Sequence, residues 1–187
     1  MINPLNWQLL KNNKLEILVS EDLNQYLTSL DVIDKHFPDC PDVENKGNEL
    51  LQEYVKDGVR EFNEYPIVSL GWVMFLGMAV AKFWDEDWTK FSAIENLYIY
   101  LRDKRGYDYM DEYILQDVLK YDTGKADKIT EIAGECAARC HSMLMHSGVE
   151  YGTPEAFAEY VACLNQLYIM GMAMELKSLG YRMTELN

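Results

Sequence analysis

Two long segments of this chain carry very little charge, and they constrain the fold more than any other feature. Residues 67–83 and 157–176 are strongly apolar, and each contains the tripeptide Gly-Met-Ala, beginning at Gly77 and at Gly171. A helix that is apolar on all sides must be surrounded by other elements. The sequence therefore predicts an all-α helical bundle built around these two central helices.

Apolar periodicity and helix-end signals divide the rest of the chain into further helices. Ser20 is a suitable cap for a helix that Pro38 then stops, and a later helix is marked from Phe91 onward. That later helix carries basic residues in its last turn and ends at Gly106, while Thr153 begins the final helix. Together with the central pair, these signals predict about seven helices.

The pattern leaves one stretch undecided and suggests one internal relationship. Leu15, Ile17 and Val19 alternate like a strand, yet no later segment offers a partner strand. The two Gly-Met-Ala tripeptides lie 94 residues apart (171 − 77 = 94), about half the chain, which suggests a duplicated three-helix unit. No glycine- or serine-rich linker divides the chain, so we expect residues 1–187 to form a single domain.

The charge balance restricts the classes of partner. The chain contains 31 acidic and 17 basic residues, which gives a formal net charge of −14 at pH 7. Such a chain repels nucleic acid and anionic membrane surfaces, so neither is expected as a partner, whereas a basic protein is compatible. The longest apolar run ends at Lys82 and is shorter than the roughly 20 residues that a membrane span requires.

The N-terminal residues and the cysteines indicate a cellular compartment. Residues 1–7 lack the positive charge and apolar stretch of a secretory signal, so we expect a cytoplasmic protein whose four cysteines stay reduced. Cys136 and Cys140 lie one helical turn apart and continue an apolar stripe. We interpret them as small buried side chains, because half of a zinc site would need two more ligands that the spacing does not provide.

The sequence feature most suggestive of binding is a concentration of tyrosine and basic residues between positions 98 and 113. Tyrosine and arginine dominate the energetics of protein interfaces. The interface candidates are Tyr100, Arg102, Arg105, Tyr107 and Tyr109. The competing interpretation is that tyrosines line the core and the basic residues cap a helix. We expect a soluble binding or interaction protein that self-associates or masks a basic protein partner with its acidic surface.

A row of acidic residues provides the alternative hypothesis. These residues recur every four positions: Glu49, Glu53, Asp57 and Glu61. Paired carboxylates hold magnesium against substrate phosphates, and in this respect the row resembles that of the all-helical nucleotide pyrophosphatases. The resemblance implies a metal-dependent hydrolase of a phosphorylated small molecule. A solvated helix face supplemented by Lys56 explains the same residues, and no motif points to a cofactor.

Overall fold

The computed structural model describes residues 14–183, and this part of the chain is an all-α bundle without strands. Residues 1–7, which support the cytoplasmic assignment, lie outside it. The α-helices of the described part are α1 (Lys14–Ser29), α2 (Pro41–Phe62), α3 (Pro66–Ser92), α4 (Leu97–Arg105), α5 (Met110–Tyr113), α6 (Thr123–Met145) and α7 (Pro154–Ser178). A 3₁₀ turn (Tyr107–Tyr109) precedes α5, and a π-helical turn (Ile114–Val118) follows it.

Helices α3 and α7 form the centre of the bundle, as the two apolar segments predict. Their backbones touch where Gly77 meets Gly171. A Cβ atom added at Gly77 would lie 2.1 Å from the carbonyl oxygen of Tyr168, and one added at Gly171 would lie 2.1 Å from that of Met74. The two helices therefore pack more closely at this crossing than any side chain at these positions permits.

The contact between the central helices is reciprocal. Each glycine faces the carbonyl that lies three residues before the other glycine (171 − 168 = 3 and 77 − 74 = 3). The helices run parallel, because Ser69 meets Tyr160 before the crossing and Asp85 meets Tyr181 after it. The crossing thus has approximate local two-fold symmetry. A duplicated three-helix unit predicts this symmetry, and the duplication itself stays a hypothesis.

Ser20, the predicted cap, lies inside the first described helix and does not begin it. This helix spans Lys14–Ser29, so more than one helical turn precedes Ser20. The alternating residues belong to this helix and not to a strand: Leu15 and Val19, one turn apart, are buried, whereas Ile17 is exposed. The alternation arises because exposed apolar side chains lie between the buried positions of an ordinary helical stripe.

Two predicted helix boundaries were wrong. Helix α1 ends at Ser29, well before Pro38, because the chain turns at Asp31, whose φ of 58° is incompatible with a right-handed helix. Phe91 lies in the short last segment of α3, after a kink at Asp87 (φ −163°, ψ 81°), and not in the helix that follows α3. That next helix begins after Asn96, whose side chain accepts hydrogen bonds from two backbone amides and so caps it.

Within the described residues, only α3 is long and apolar enough to cross a membrane. Its most apolar 18-residue window has a mean hydropathy of 1.7, and 72% of that window is buried inside the bundle. The core helix of a soluble protein has the same length and composition. The apolar surface of α3 is covered by the helices packed around it, which accounts for its composition.

Candidate functional site

The five interface candidates do not form one exposed patch, because Tyr107 is directed into the bundle. Its hydroxyl lies 3.1 Å from that of Tyr54, and its backbone carbonyl accepts a hydrogen bond of 2.8 Å from the indole of Trp72. Tyr109, two residues later, is 58% exposed. The 3₁₀ turn therefore holds one tyrosine inward and presents the other to solvent.

The two candidate arginines hold helix α4 in place. Arg102 binds Asp57 of α2 at 3.1 Å, and Asp57 also accepts the hydroxyl hydrogen of Tyr98. Arg105 binds Asp117 at 2.6 Å. Both guanidinium groups already have a carboxylate partner within the fold.

Tyr100, the remaining candidate, packs against the core. Its ring meets Phe83 edge-on with the centroids 6.1 Å apart, and the ammonium group of Lys104 lies 4.2 Å from its centroid. Of the five candidates, Tyr109 has the most exposed ring and the fewest interactions within the described residues.

A buried seam of hydroxyl groups joins α2, α3 and α7, and the pattern of the sequence does not predict it. The seam consists of Tyr54, Ser69, Tyr107 and Tyr160. Tyr54 donates a hydrogen bond of 2.5 Å to the carbonyl of Ser69, whose own hydroxyl donates to the carbonyl of Gly58 at 2.7 Å and lies 2.5 Å from the hydroxyl of Tyr160. Burial raises the pKa of Tyr54 well above its usual value. The one sequence signal was Ser69, a polar residue inside an apolar run.

The first half of the acidic row is neutralised by neighbouring lysines. Glu49 binds Lys46 at 3.1 Å and Glu53 binds Lys56 at 3.0 Å, each within α2. The side chains of Glu49, Glu53 and Glu95 line an open groove of about 620 Å³. The described residues contain no group of three or more His, Cys, Asp or Glu side chains placed to hold a metal ion.

Glu61, the last residue of the acidic row, belongs to a different group of charges. Burial and the nearby negative charges of Asp108 and Glu64 raise the pKa of its carboxyl group. We call Glu61, Glu64 and Asp108 the carboxylate cluster. Within residues 14–183, none of the three side chains has an ion-pair partner. The exposed Tyr109 follows Asp108 directly in the chain.

An open apolar pocket of about 480 Å³ lies at the same end of α2, between the end of α6 and the start of α7. Its walls are mainly apolar side chains from these three helices and the α6–α7 loop. The apolar lining residues include Val59, Phe62, Leu144, Met145, Val149 and Phe157. Large pockets with mostly apolar walls and few polar groups are typical of ligand-binding sites.

The α6–α7 loop forms one side of the pocket and is tied to α2. The hydroxyl of Tyr151 donates a hydrogen bond to the side-chain oxygen of Asn63. Gly148 and Gly152 flank this tyrosine segment with φ angles of 80° and 79°, which side chains other than glycine rarely adopt. Thr153 then caps α7 by accepting from the amide of Ala156. The loop thus crosses the pocket in a defined conformation.

The cysteines of α6 are buried, as the apolar stripe predicts. Cys136 and Cys140 have no exposed surface, and Cys140 contacts the equally buried Cys163 of α7. Burial raises the pKa of the Cys136 thiol to about 12. Thiols held in this protonated form are poor nucleophiles and poor metal ligands, which agrees with a packing role.

One carboxyl group is buried at the far end of α7. Glu175 is 2% exposed and accepts a hydrogen bond from the hydroxyl of Tyr121. Burial raises its pKa to about 7, although the Tyr121 hydrogen bond and the charges of Lys125 and Lys82 oppose the shift. This group therefore titrates near neutral pH.

Comparison with known proteins gives no relative from which a function can be transferred. No protein-family model matches this chain, no curated protein matches it, and no solved structure matches it. The carboxylate cluster and the apolar pocket, both at one end of α2, are the surfaces on which a function can be argued.

Proposed function

We propose that this protein is a binding protein whose carboxylate cluster, together with the exposed Tyr109 that follows Asp108 in the chain, recognises a basic segment of a partner protein. The observation that carries the proposal is the unneutralised charge at this surface. Glu61, Glu64 and Asp108 have no ion-pair partner within residues 14–183, and the two neighbours help to raise the pKa of Glu61. A lysine or arginine of a partner would relieve this repulsion.

The groove beside Tyr100 supports the proposal less well, although it is also acidic. Lys46 and Lys56 already neutralise Glu49 and Glu53 there, which leaves Glu95 as the one carboxylate of the groove lining without an ion pair within residues 14–183. A basic partner would have to displace these lysines and would gain little, because exposed ion pairs contribute only about 0–1 kcal/mol each. The carboxylate cluster requires no such exchange.

A basic partner is favoured over a second copy of this chain at the same surface. A symmetric dimer places the same patch of both subunits face to face. The carboxylate cluster would then meet itself, and juxtaposed like charges oppose association. The net charge of −14 adds to this repulsion. Self-association through Tyr109 is therefore the less favoured form of the interaction.

Nothing in the described residues favours the metal-dependent hydrolase. Asp57 is held by Arg102 and Tyr98, and the lysines described above hold Glu49 and Glu53. Only Glu61 of the acidic row is without a cation, and its neighbours do not complete a metal site.

The proposal is tested by neutralising the cluster. The variant Glu61→Gln, Glu64→Gln, Asp108→Asn and the wild type are used to capture proteins from native lysate, with quantitative mass spectrometry of the eluates. The control, Glu21→Gln, Asp127→Asn, Glu131→Gln, removes the same number of exposed charges from α1 and α6. We expect a basic protein that the wild type and the control retain and that the cluster variant loses.

The captured protein is then purified and its affinity measured by calorimetry. Three lost ion pairs of about 0.2–1 kcal/mol each predict an affinity at least about threefold lower for the cluster variant, with a weaker salt dependence. Tyr109→Ser should weaken binding as well. Capture of the same proteins by all variants, or of proteins without a basic segment, contradicts the proposal.

A further inference from the structure

We propose that the apolar pocket between α2, α6 and α7 binds an amphiphilic organic cation, a small molecule with an apolar body and an ammonium head. This site is separate from the carboxylate cluster and does not depend on the proposed function.

The walls of the pocket expose apolar side chains that a ligand would cover. Val59 is 41% exposed and Met145 is 55% exposed, although both belong to helices that bury apolar residues elsewhere. Phe62, Leu144 and Phe157 are partly buried and continue the same surface into the core. Covering apolar surface stabilises a complex by about 25 cal/mol per Å². These exposed apolar walls therefore favour a ligand with an apolar body.

The dimensions of the pocket suit a small molecule. Its volume of about 480 Å³ falls within the range of roughly 300–1,000 Å³ that is typical of small-molecule sites. The loop that carries Tyr151 is fixed to Asn63 and limits access from one side. A partner helix would need a continuous groove, whereas this site is bounded by a loop and three helices.

The charge at the pocket selects the sign of the head group. Glu159 lines the pocket, and the lining contains no lysine, arginine or histidine. Within residues 14–183, the Glu159 side chain has no hydrogen bond or ion pair. His141 touches the ring of Phe62 with the ring centroids 5.9 Å apart but is not part of the lining. A carboxylate without a cation favours a positively charged head.

The helix ends around the pocket also favour a cation. Helices α2 and α6 both end there, at Phe62 and Met145, while only α7 begins there. Helix C-termini carry partial negative charge from their unpaired carbonyls, and an N-terminus carries the opposite charge. All three ends are partly satisfied, because the amide of Ala156 donates to Thr153 and the carbonyls of Glu61 and Leu144 near the ends of α2 and α6 accept hydrogen bonds from the residues that follow. Two C-termini and one N-terminus still leave a net negative partial charge. The helix dipoles therefore add to the charge of Glu159.

A pair of dyes tests the preference for charge directly. N-phenyl-1-naphthylamine and 8-anilino-1-naphthalenesulfonate share one aromatic body, and only the second carries a sulfonate. We expect the uncharged dye to bind with enhanced fluorescence and a stoichiometry of one, and the sulfonate to bind about two- to fivefold more weakly because Glu159 repels it. Equal binding of the two dyes, or absence of binding by the uncharged dye, overturns the proposal.

Competition with alkyl chains then tests the cation itself. Decylamine and decanoate, both below their micelle-forming concentrations, are titrated against the bound N-phenyl-1-naphthylamine. The ammonium form should displace the dye at a concentration at least about fivefold lower than the carboxylate. Glu159→Gln should reduce this preference about two- to fivefold. The control Glu155→Gln, an exposed carboxylate one turn earlier on α7, should leave it unchanged.

Filling the pocket shows whether these probes bind there. Ala156 lines the pocket, so Ala156→Phe should abolish dye binding while circular dichroism and the unfolding midpoint show a folded protein. Ala138→Phe, on the exposed face of α6, is the matched control and should bind normally. If Ala156→Phe is unfolded, Ala156→Leu provides the smaller obstruction and should weaken binding. Full dye binding by a folded Ala156 variant places the dye elsewhere and refutes the site.

Discussion

The middle and the ends of the central helix pair are built on different principles. In the middle, Gly77 and Gly171 bring two backbones together, and each half of the contact mirrors the other. At the ends, polar groups are buried: Ser69 in the hydroxyl seam and Glu175 beside Tyr121. The middle depends on shape alone, whereas each end depends on the chemistry of particular partners.

The 94-residue spacing of the two Gly-Met-Ala tripeptides allows equivalent positions of the two central helices to be compared. The position equivalent to Ser69 is Cys163 (69 + 94 = 163), and the position equivalent to Glu175 is Ala81 (175 − 94 = 81). All four residues are buried. The two halves of the pair are therefore alike where backbones touch and different where polar groups are buried. Substitutions at the middle and at the two ends can show how far this contrast holds.

The largest effect is expected at the crossing. Gly77→Ala should lower the free energy of unfolding by about 3 kcal/mol or more, since its Cβ would lie 2.1 Å from a backbone oxygen that cannot move independently. Alanine is the better helix former by about 1 kcal/mol, so the control Gly134→Ala, which has open space around it, should be stabilised. Urea denaturation of both variants measures the difference. A midpoint for Gly77→Ala at or above that of the wild type would mean that the crossing is not tight.

The next effect concerns the C-terminal end of the pair and depends on pH. The pKa of Glu175 is raised from 4.5 to about 7 in the folded protein, so the folded state binds more protons than the unfolded state between these values. Stability should therefore fall by about 2–3 kcal/mol as pH rises from 5 to 8. Urea denaturation at a series of pH values measures this slope.

Glu175→Gln is the control for the pH dependence, because glutamine stays neutral. The unfolding free energy of the variant should change little between pH 5 and pH 8. The variant should also be more stable than the wild type at pH 8. An identical slope in both proteins assigns the pH dependence to other groups and removes the special role of this end of the pair.

The smallest effect is expected at the N-terminal end of the pair. Ser69→Ala should lower the free energy of unfolding by about 1–2 kcal/mol, because the hydroxyl of Tyr160 and the carbonyl of Gly58 lose a buried partner. The control Ser142→Ala, on the exposed surface of α6, should change the midpoint little. Equal effects of the two substitutions would show that the hydroxyl seam does not stabilise the fold and that the two ends are not comparable.

The central architecture could be predicted because glycine in a long apolar helix is informative. Gly77 and Gly171 each cost helix stability relative to alanine, and the close backbone contact that they permit between the central helices offsets this cost. Helix ends were predicted well where a local signal exists, as at Gly106 and Thr153. The end of α1 depends on the left-handed Asp31, for which the local pattern carries no comparable signal.

The candidate sites depend on contacts between distant parts of the chain. Tyr107 is prominent in the sequence, yet its direction is decided by Tyr54, 53 residues away. Glu61 was visible in the acidic row, but its neighbour Asp108 comes from the 3₁₀ turn between α4 and α5. Periodicity within one helix reports which face is buried and not which other helix supplies the partner. For this reason neither the hydroxyl seam nor the pocket followed from the sequence.

The reciprocal glycine contact also sets the register of the central helices. Sliding one helix past the other by a residue would bring Met78 or Met172 to the crossing, where no side chain fits. The part of α3 before the kink at Asp87 and the 25-residue helix α7 are thus aligned by a contact about one turn long. The start of α7 also packs directly against the end of α2, where the ring centroids of Tyr160 and Phe62 are 5.1 Å apart, and the alignment at the crossing helps to set where α7 lies along α2. A substitution at the crossing is therefore expected to change the width of the apolar pocket at a distance.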